Sequence, residues 1–191
     1  MGKRPGVRRR GRGGMQFRAA ATQKLKPAKY PSFSLDEERK GEIIDLVHES
    51  GRDVPLSKVR FEDGAISFIP APLGTKVGQR ISFGLNSEII DGNVISIQNI
   101  PDGTIVCNVE KQFGDGGSFI KTAGADATVF SHADDGVILK MPSGKFKKLN
   151  PKNRAMIGTL AGGGVEDRPF MRAGVKMMRF KSKGKKYPIV R

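Results

Sequence analysis

The 191-residue sequence has no Trp, one Cys, two His, and no acidic residue at either end. A single Cys107 excludes an internal disulfide, and with no Cys or His beside it completes no zinc site; it reads as a small buried hydrophobe. His48 and His132 stand far apart, and Cys107 has no evident base. The carboxylates of Asp36-Glu37-Glu38 and Asp134-Asp135 lie in polar stretches that read as linker and turn, not as an acid and base pair. No enzyme, cofactor, metal or small-molecule substrate is expected. No run of eighteen apolar residues exists, and no apolar stretch follows the basic N-terminus, so a soluble, intracellular chain without a membrane partner is expected. With 25 Gly and 11 Pro, small turn-rich units are favoured over one deep core. Eleven Phe and two Tyr spread over two cores leave few rings spare for stacking on bases.

What the ends do hold is positive charge. Residues 1–29 carry ten Lys or Arg and residues 168–191 carry nine, with no acid in either. The remaining fifteen basic and all nineteen acidic residues lie between them, so the net +15 belongs to two cationic arms on a mildly acidic body. Such arms suit a polyanion, nucleic acid first. Lys3, Arg4, Arg8, Arg9, Arg10, Arg12 and Arg18 are interspersed with glycines that let backbone come close to a partner. Guanidinium forks match phosphates and stack on unpaired bases. A solvated tail or a localisation signal is the plainer alternative. Ordering both arms would cost roughly 50 kcal/mol of backbone entropy, at about 1 kcal/mol per residue. A short duplex offers too few contacts to offset that, whereas a large folded RNA buries extended peptide on several sides.

The pattern predicts four parts. Residues 1–38 form a basic arm, interrupted by Gly and Pro and extended when free. From Gly41, β-like runs at Glu42–His48, Leu56–Glu62, Ala65–Ile69, Arg80–Phe83 and Asn93–Ile97 suit a small Greek-key barrel over 39–100, with a tight hairpin at Asp63-Gly64. After the break at Ile100-Pro101-Asp102-Gly103 come runs at Thr104–Glu110, Asp126–Ser131, Val137–Met141, Lys145–Leu149 and Ala155–Leu160. They predict a second barrel over 101–167, about the size of an SH3-like module, with Pro142-Ser143-Gly144 as a hairpin turn. Residues 168–191 form a basic extension in which Pro169–Phe180 has the start and stripe of a short helix.

Gly114-Asp115-Gly116-Gly117 and Ala161-Gly162-Gly163-Gly164 follow predicted strands. Their missing side chains would let amides approach phosphate or sugar, or they are ordinary β-turns; neither is a nucleotide-binding fingerprint. Lys145 and Lys147 share one strand face and Lys148 the other, giving either an RNA-facing edge or a charged edge that resists aggregation. An independent chromatin or single-strand-binding module remains the alternative to an assembly protein.

Several segments occur in a telling order: Arg8-Arg9-Arg10-Gly11-Arg12-Gly13-Gly14, Val59-Arg60-Phe61-Glu62-Asp63-Gly64, Ile100-Pro101-Asp102-Gly103-Thr104, Cys107-Asn108-Val109-Glu110, Gly114-Asp115-Gly116-Gly117, Arg154-Ala155-Met156-Ile157-Gly158 and Ala161-Gly162-Gly163-Gly164. Together they resemble the universal large ribosomal subunit protein two family, in its archaeal and eukaryotic style, over nearly the whole chain. The resemblance implies a mainly β fold, an OB-type barrel followed by an SH3-like barrel, with basic extended arms. It implies binding to large-subunit rRNA beside neighbouring ribosomal proteins and the small subunit, in the cytoplasmic ribosome. Subunit assembly, subunit association and support of the peptidyl transferase centre are the roles that follow. The RNA-facing candidates are Arg8, Arg9, Arg10, Arg12 and Arg18; Gly114, Gly116, Gly117 and Lys121; Lys145 and Lys147; Arg154; Gly162, Gly163 and Gly164; and Arg168, Arg172 and Lys176. The family continues past the stretch matching Tyr187–Arg191 into a Gly-rich extension with a histidine motif; this sequence stops at Arg191, so that tip is expected to be absent.

Overall fold

Short runs of β-branched and apolar residues, separated by Gly and Pro turns, fold into strands throughout the middle of the chain. A computed structural model describes residues 2, 9–19, 24–32, 38–85, 87–133 and 135–187. Lys3, Arg4 and Arg8 of the expected arm lie outside the described residues, as do Asp36, Glu37 and Asp134. The strands are β1 (Arg39–Val47), β2 (Leu56–Phe61), β3 (Ile66–Pro70), β4 (Arg80–Gly84), β5 (Val94–Ser96), β6 (Ile105–Cys107), β7 (Ala127–Ala133), β8 (Gly136–Lys140), β9 (Phe146–Leu149) and β10 (Arg154–Ile157), followed by one helix, α1 (Ala173–Ser182). Each predicted run overlaps one of these strands. The fold is mainly β.

Both predicted hairpins form. Between β2 and β3 the Asp63 carboxylate accepts the Ala65 amide at 2.9 Å, and the Gly64 amide donates to Phe61 O. Between β8 and β9 the Gly144 amide donates to Met141 O.

The strands join in one sheet, ordered β3-β2-β1-β4-β5-β10-β6-β7-β8-β9, antiparallel except for β4–β5. β10 carries the join: Met156 pairs with Val94 of β5 on one side and Cys107 of β6 on the other. All four β10 residues are buried, which is why its run shows no alternation. The expected boundary at 100/101 therefore coincides with no break in the sheet, and a single apolar core runs across it, from Ile43, Val59 and Phe83 to Val129, Leu139 and Leu160. Burial of each such side chain contributes about 1.5–3 kcal/mol.

Two expectations change. Residues of the predicted N-terminal arm enter the core: Ala28 and Tyr30 are each only 4% exposed, and the Tyr30 ring meets Phe83 edge-on at 6.2 Å. Tyr30 is the one aromatic among Lys24, Lys26 and Lys29, and burying it outweighs extension of the segment into water. The helix starts at Ala173, not Pro169. Arg172 holds an extended backbone before it and no side chain caps it. No α1 residue is buried, so the Val175 and Met178 of the expected apolar stripe face outward.

Candidate nucleic-acid interface

The chain divides into two compact units. One consists of Met1–Leu25, Glu49–Arg52 and Glu166–Arg191; the other of Lys26–His48 and Asp53–Val165. The first contains 18 Lys or Arg against three acids and so holds the entire +15, while 16 basic and 16 acidic residues cancel in the second. The two ends thus form one cationic body. The two ends come close together at Gly184, where a Cβ would lie 2.9 Å from Phe17 O and 3.0 Å from Ala19 N, and whose φ of +65° favours glycine. In this unit Arg10, Arg12, Arg18, Arg168 and Arg172 are exposed, and Arg9 and Lys176 half-buried. Arg18 Nε donates to Gly13 O at 2.8 Å, and Lys176 sits 5.9 Å from the Phe170 ring centre.

In the neutral unit the structure gathers Gly116 and Arg154 around a residue that the sequence did not single out for a role, Glu110, with Gly117 and Lys121 in the adjoining loop. The Glu110 side chain is fully buried and that of Arg154 3% exposed. Glu110 Oε1 accepts from Arg154 Nη2 at 2.7 Å and the Gly116 amide at 3.0 Å; Oε2 accepts from Arg154 Nε at 3.1 Å and the Arg154 amide at 3.0 Å. Arg154 Nη1 reaches the Pro31 carbonyl at 3.1 Å. A buried pair is tolerable where its donors and acceptors are satisfied in this way. The guanidinium of Arg154, expected to face RNA, instead points into the protein, ties the 110–117 loop to β10, and holds down Pro31.

The same loop grips the segment before Pro31. Lys121 Nζ donates to Ala28 O at 2.8 Å and Gly117 O at 2.9 Å, and Tyr30 donates its hydroxyl to Asn108 O at 2.6 Å. The Tyr30 amide donates to Gly116 O. Asn153 Nδ2 donates to the carbonyls of Glu110 and Lys111. Burial, reinforced by Cys107 and Glu110, pushes the Tyr30 hydroxyl well above its usual pKa; burial and then Asp126 and Asp91 push the Cys107 thiol up to about 12. Both stay protonated at neutral pH.

The loop's shape is strained. Asn108 and Ile120 adopt φ of +45° and +56°, unusual for residues with side chains and most of all for a β-branched one. Gly117, at +92°, leaves no room for a Cβ, which would overlap the Asn108 side chain. Gly116 and Gly117 are buried while Gly114 is exposed at the loop tip.

The other candidates lie apart from this cluster within the same unit. Gly163 and Gly164 are exposed and Gly162 half-buried in the turn after β10. Lys145 is exposed in the β8–β9 turn, and Lys147 packs its ammonium 3.9 Å from the Phe119 ring centre. Lys148, on the opposite face, pairs with Asp135, whose carboxyl it holds below the usual range. His132, near the end of β7, pairs with Asp102 at 2.7 Å. Among the described residues no three His, Cys, Asp or Glu side chains gather to hold a metal, and no helix is long and apolar enough to cross a membrane.

Sequence reasoning missed Glu110 and Tyr30. An acid ending the apolar run Ile105–Val109 and a lone Tyr between two prolines were the available signals.

The family described as Ribosomal Proteins L2, C-terminal domain, matches residues 90–191. The chain is 71% identical over 191 residues to large ribosomal subunit protein uL2 of Cenarchaeum symbiosum (strain A), covering all of this chain and 79% of the relative. It is 70% identical to the uL2 of Nitrosopumilus maritimus (strain SCM1) and 39% to that of Sulfolobus acidocaldarius, again over the whole chain and 79% of each relative. A match of this identity along the entire sequence, in a β protein with one strongly cationic unit, shows that the chain belongs to the uL2 family of large ribosomal subunit proteins.

Proposed function

We propose that this chain is a structural constituent of the large ribosomal subunit that binds large-subunit rRNA. The observation that carries the reading is the partition of charge: one unit holds all of the +15 and the other is neutral, in a chain alike to uL2 proteins along its full length. Arg9, Arg10, Arg12, Arg18, Arg168, Arg172 and Lys176 neutralise phosphates, releasing counterions as they do. Gly114, Gly163 and Gly164 give RNA close access to backbone, and Lys145 and Lys147 contribute charge from the β8–β9 edge. Gly116, Gly117, Lys121 and Arg154 serve the RNA indirectly, by shaping the loop behind Gly114 and fixing the root of the N-terminal arm.

In this reading β1–β5 form an OB-type barrel over 39–100 and β6–β10 an SH3-like barrel over 101–167, with arms at 1–38 and 168–191. The role is architectural, not catalytic. It supports subunit assembly, association with the small subunit and the frame around the peptidyl transferase centre, among neighbouring ribosomal proteins in the cytoplasm. The test is sedimentation of the tagged full chain from cells. The chain is expected to travel with large subunits and to be stripped by high salt; a chain that stays at the top of the gradient at low salt overturns the reading.

A further inference from the structure

The outer face of β7, β8 and β9 breaks the alternation that its sequence would ordinarily obey. Leu149 is buried, so Lys147 shares its side of β9 and turns inward over Phe119, while Phe146 goes out to solvent. Exchanging Phe146 and Lys147 would satisfy ordinary burial. On β7, Ala127 and Val129 face the core and Phe130, beside a bulge, faces out. Phe130 and Phe146 are 56% and 57% exposed, and their rings meet at 4.8 Å with an angle of 62° between planes. They form an open corner of two phenyl faces, left uncovered by the fold.

Cations border this corner. Lys140 lies opposite Phe146 in the β8–β9 register, with Thr128 on its other side, and Lys148 lies opposite Ile138 in the next row. Lys145 precedes Phe146 in the turn, and neither Lys140 nor Lys145 is in an ion pair among the described residues. A hydrophobic protein neighbour would not call for this ring of lysines. A nucleotide does: its base stacks on a phenyl face and its flanking phosphates meet the ammonium groups.

We infer that Phe130 and Phe146 form a stacking platform for an unpaired base of RNA, with Lys140 and Lys145 taking the adjoining phosphates. The inference rests on the rRNA-binding reading above and names a site within it. The direct test compares the full chain with its F130L/F146L variant, which keeps apolar side chains at two exposed positions but removes both π-faces. Binding to a 12-nucleotide oligo(rA) is expected to fall about tenfold per ring, with the salt dependence unchanged and with binding to an RNA duplex of equal length unaffected. Because the protein has no Trp, the F146W variant carries a single Trp that can be excited selectively over its two Tyr, and oligo(rA) is expected to quench its emission.

Equal affinity of the full chain and F130L/F146L for oligo(rA), with unquenched F146W emission and normal binding to large-subunit rRNA, overturns the platform alone. Absence of any rRNA binding by the full chain overturns the platform and the broader reading together. Retained oligo(rA) affinity with loss of F130L/F146L from large subunits overturns the platform in favour of a neighbouring protein.

Discussion

Replacing Glu110 by Gln should cost the fold far more than a surface charge would. The carboxylate takes four N–H donors at 2.7–3.1 Å from Arg154 and Gly116, two on each oxygen, with no solvent access. In E110Q one oxygen becomes an NH₂ group, so two of those donors face another donor in either amide orientation, and the buried guanidinium loses its counter-charge. Breaking a buried pair from one side costs about 3–5 kcal/mol. Against a total stability of about 5–15 kcal/mol this is a large share. With a urea slope of about 2 kcal/mol per molar, the midpoint should fall by about 2 M in far-UV circular dichroism at neutral pH. A shift corresponding to less than about 1 kcal/mol would refute the view of this pair as the strut between the 110–117 loop and β10. The R154M variant supplies the functional half of the test: if its destabilised but still folded fraction binds rRNA with an unaltered salt slope, Arg154 contacts no phosphate. A phosphate ligand would instead lower the slope by about 0.7–0.9.

Other expectations follow from the same contacts. K121M removes two charge-assisted hydrogen bonds to Ala28 and Gly117. It should loosen the root of the arm by about 2 kcal/mol and speed tryptic cleavage at Lys24 and Lys29, as read by mass spectrometry. G184A places a Cβ against the backbone of Phe17 and Ala19 at a φ of +65°, so it should detach the two ends and raise their amide exchange while leaving the neutral unit's exchange unchanged. The raised pKa values of Cys107 and Tyr30 mean that the native state keeps protons the unfolded chain has lost. Stability should therefore be unaffected below about pH 8.5 and fall above it, at up to about 1.4 kcal/mol per pH unit for Cys107 until its folded value of about 12. The Tyr30 contribution begins near pH 10, and C107A and Y30F should each flatten the alkaline limb of a melting-temperature profile.

Local pattern revealed all ten strand positions, because turn residues and short β-branched runs are local signals. The double pairing of β10 was not legible: its partners β5 and β6 lie roughly 60 and 50 residues upstream, and a fully buried strand has no polar face to declare its register. Arg154 was misread for a related reason. A basic residue looks solvent-bound until its acid is known, and Glu110 is 44 residues away. Phe146 and Lys147 reversed the ordinary in-and-out assignment, so rings that composition assigned to the cores stand at the surface. The charge at the two ends was plain in the sequence; their union in one unit, with close approach at Gly184, was not.

The central claim, that large-subunit rRNA is the polyanion this chain binds, is tested most directly by crosslinking the full protein to RNA in cells and sequencing what it holds. The account predicts crosslinks concentrated in large-subunit rRNA and strongly reduced when residues 1–25 are removed. Crosslinks dispersed over many transcripts, or recovered on DNA, with no large-subunit peak would contradict it.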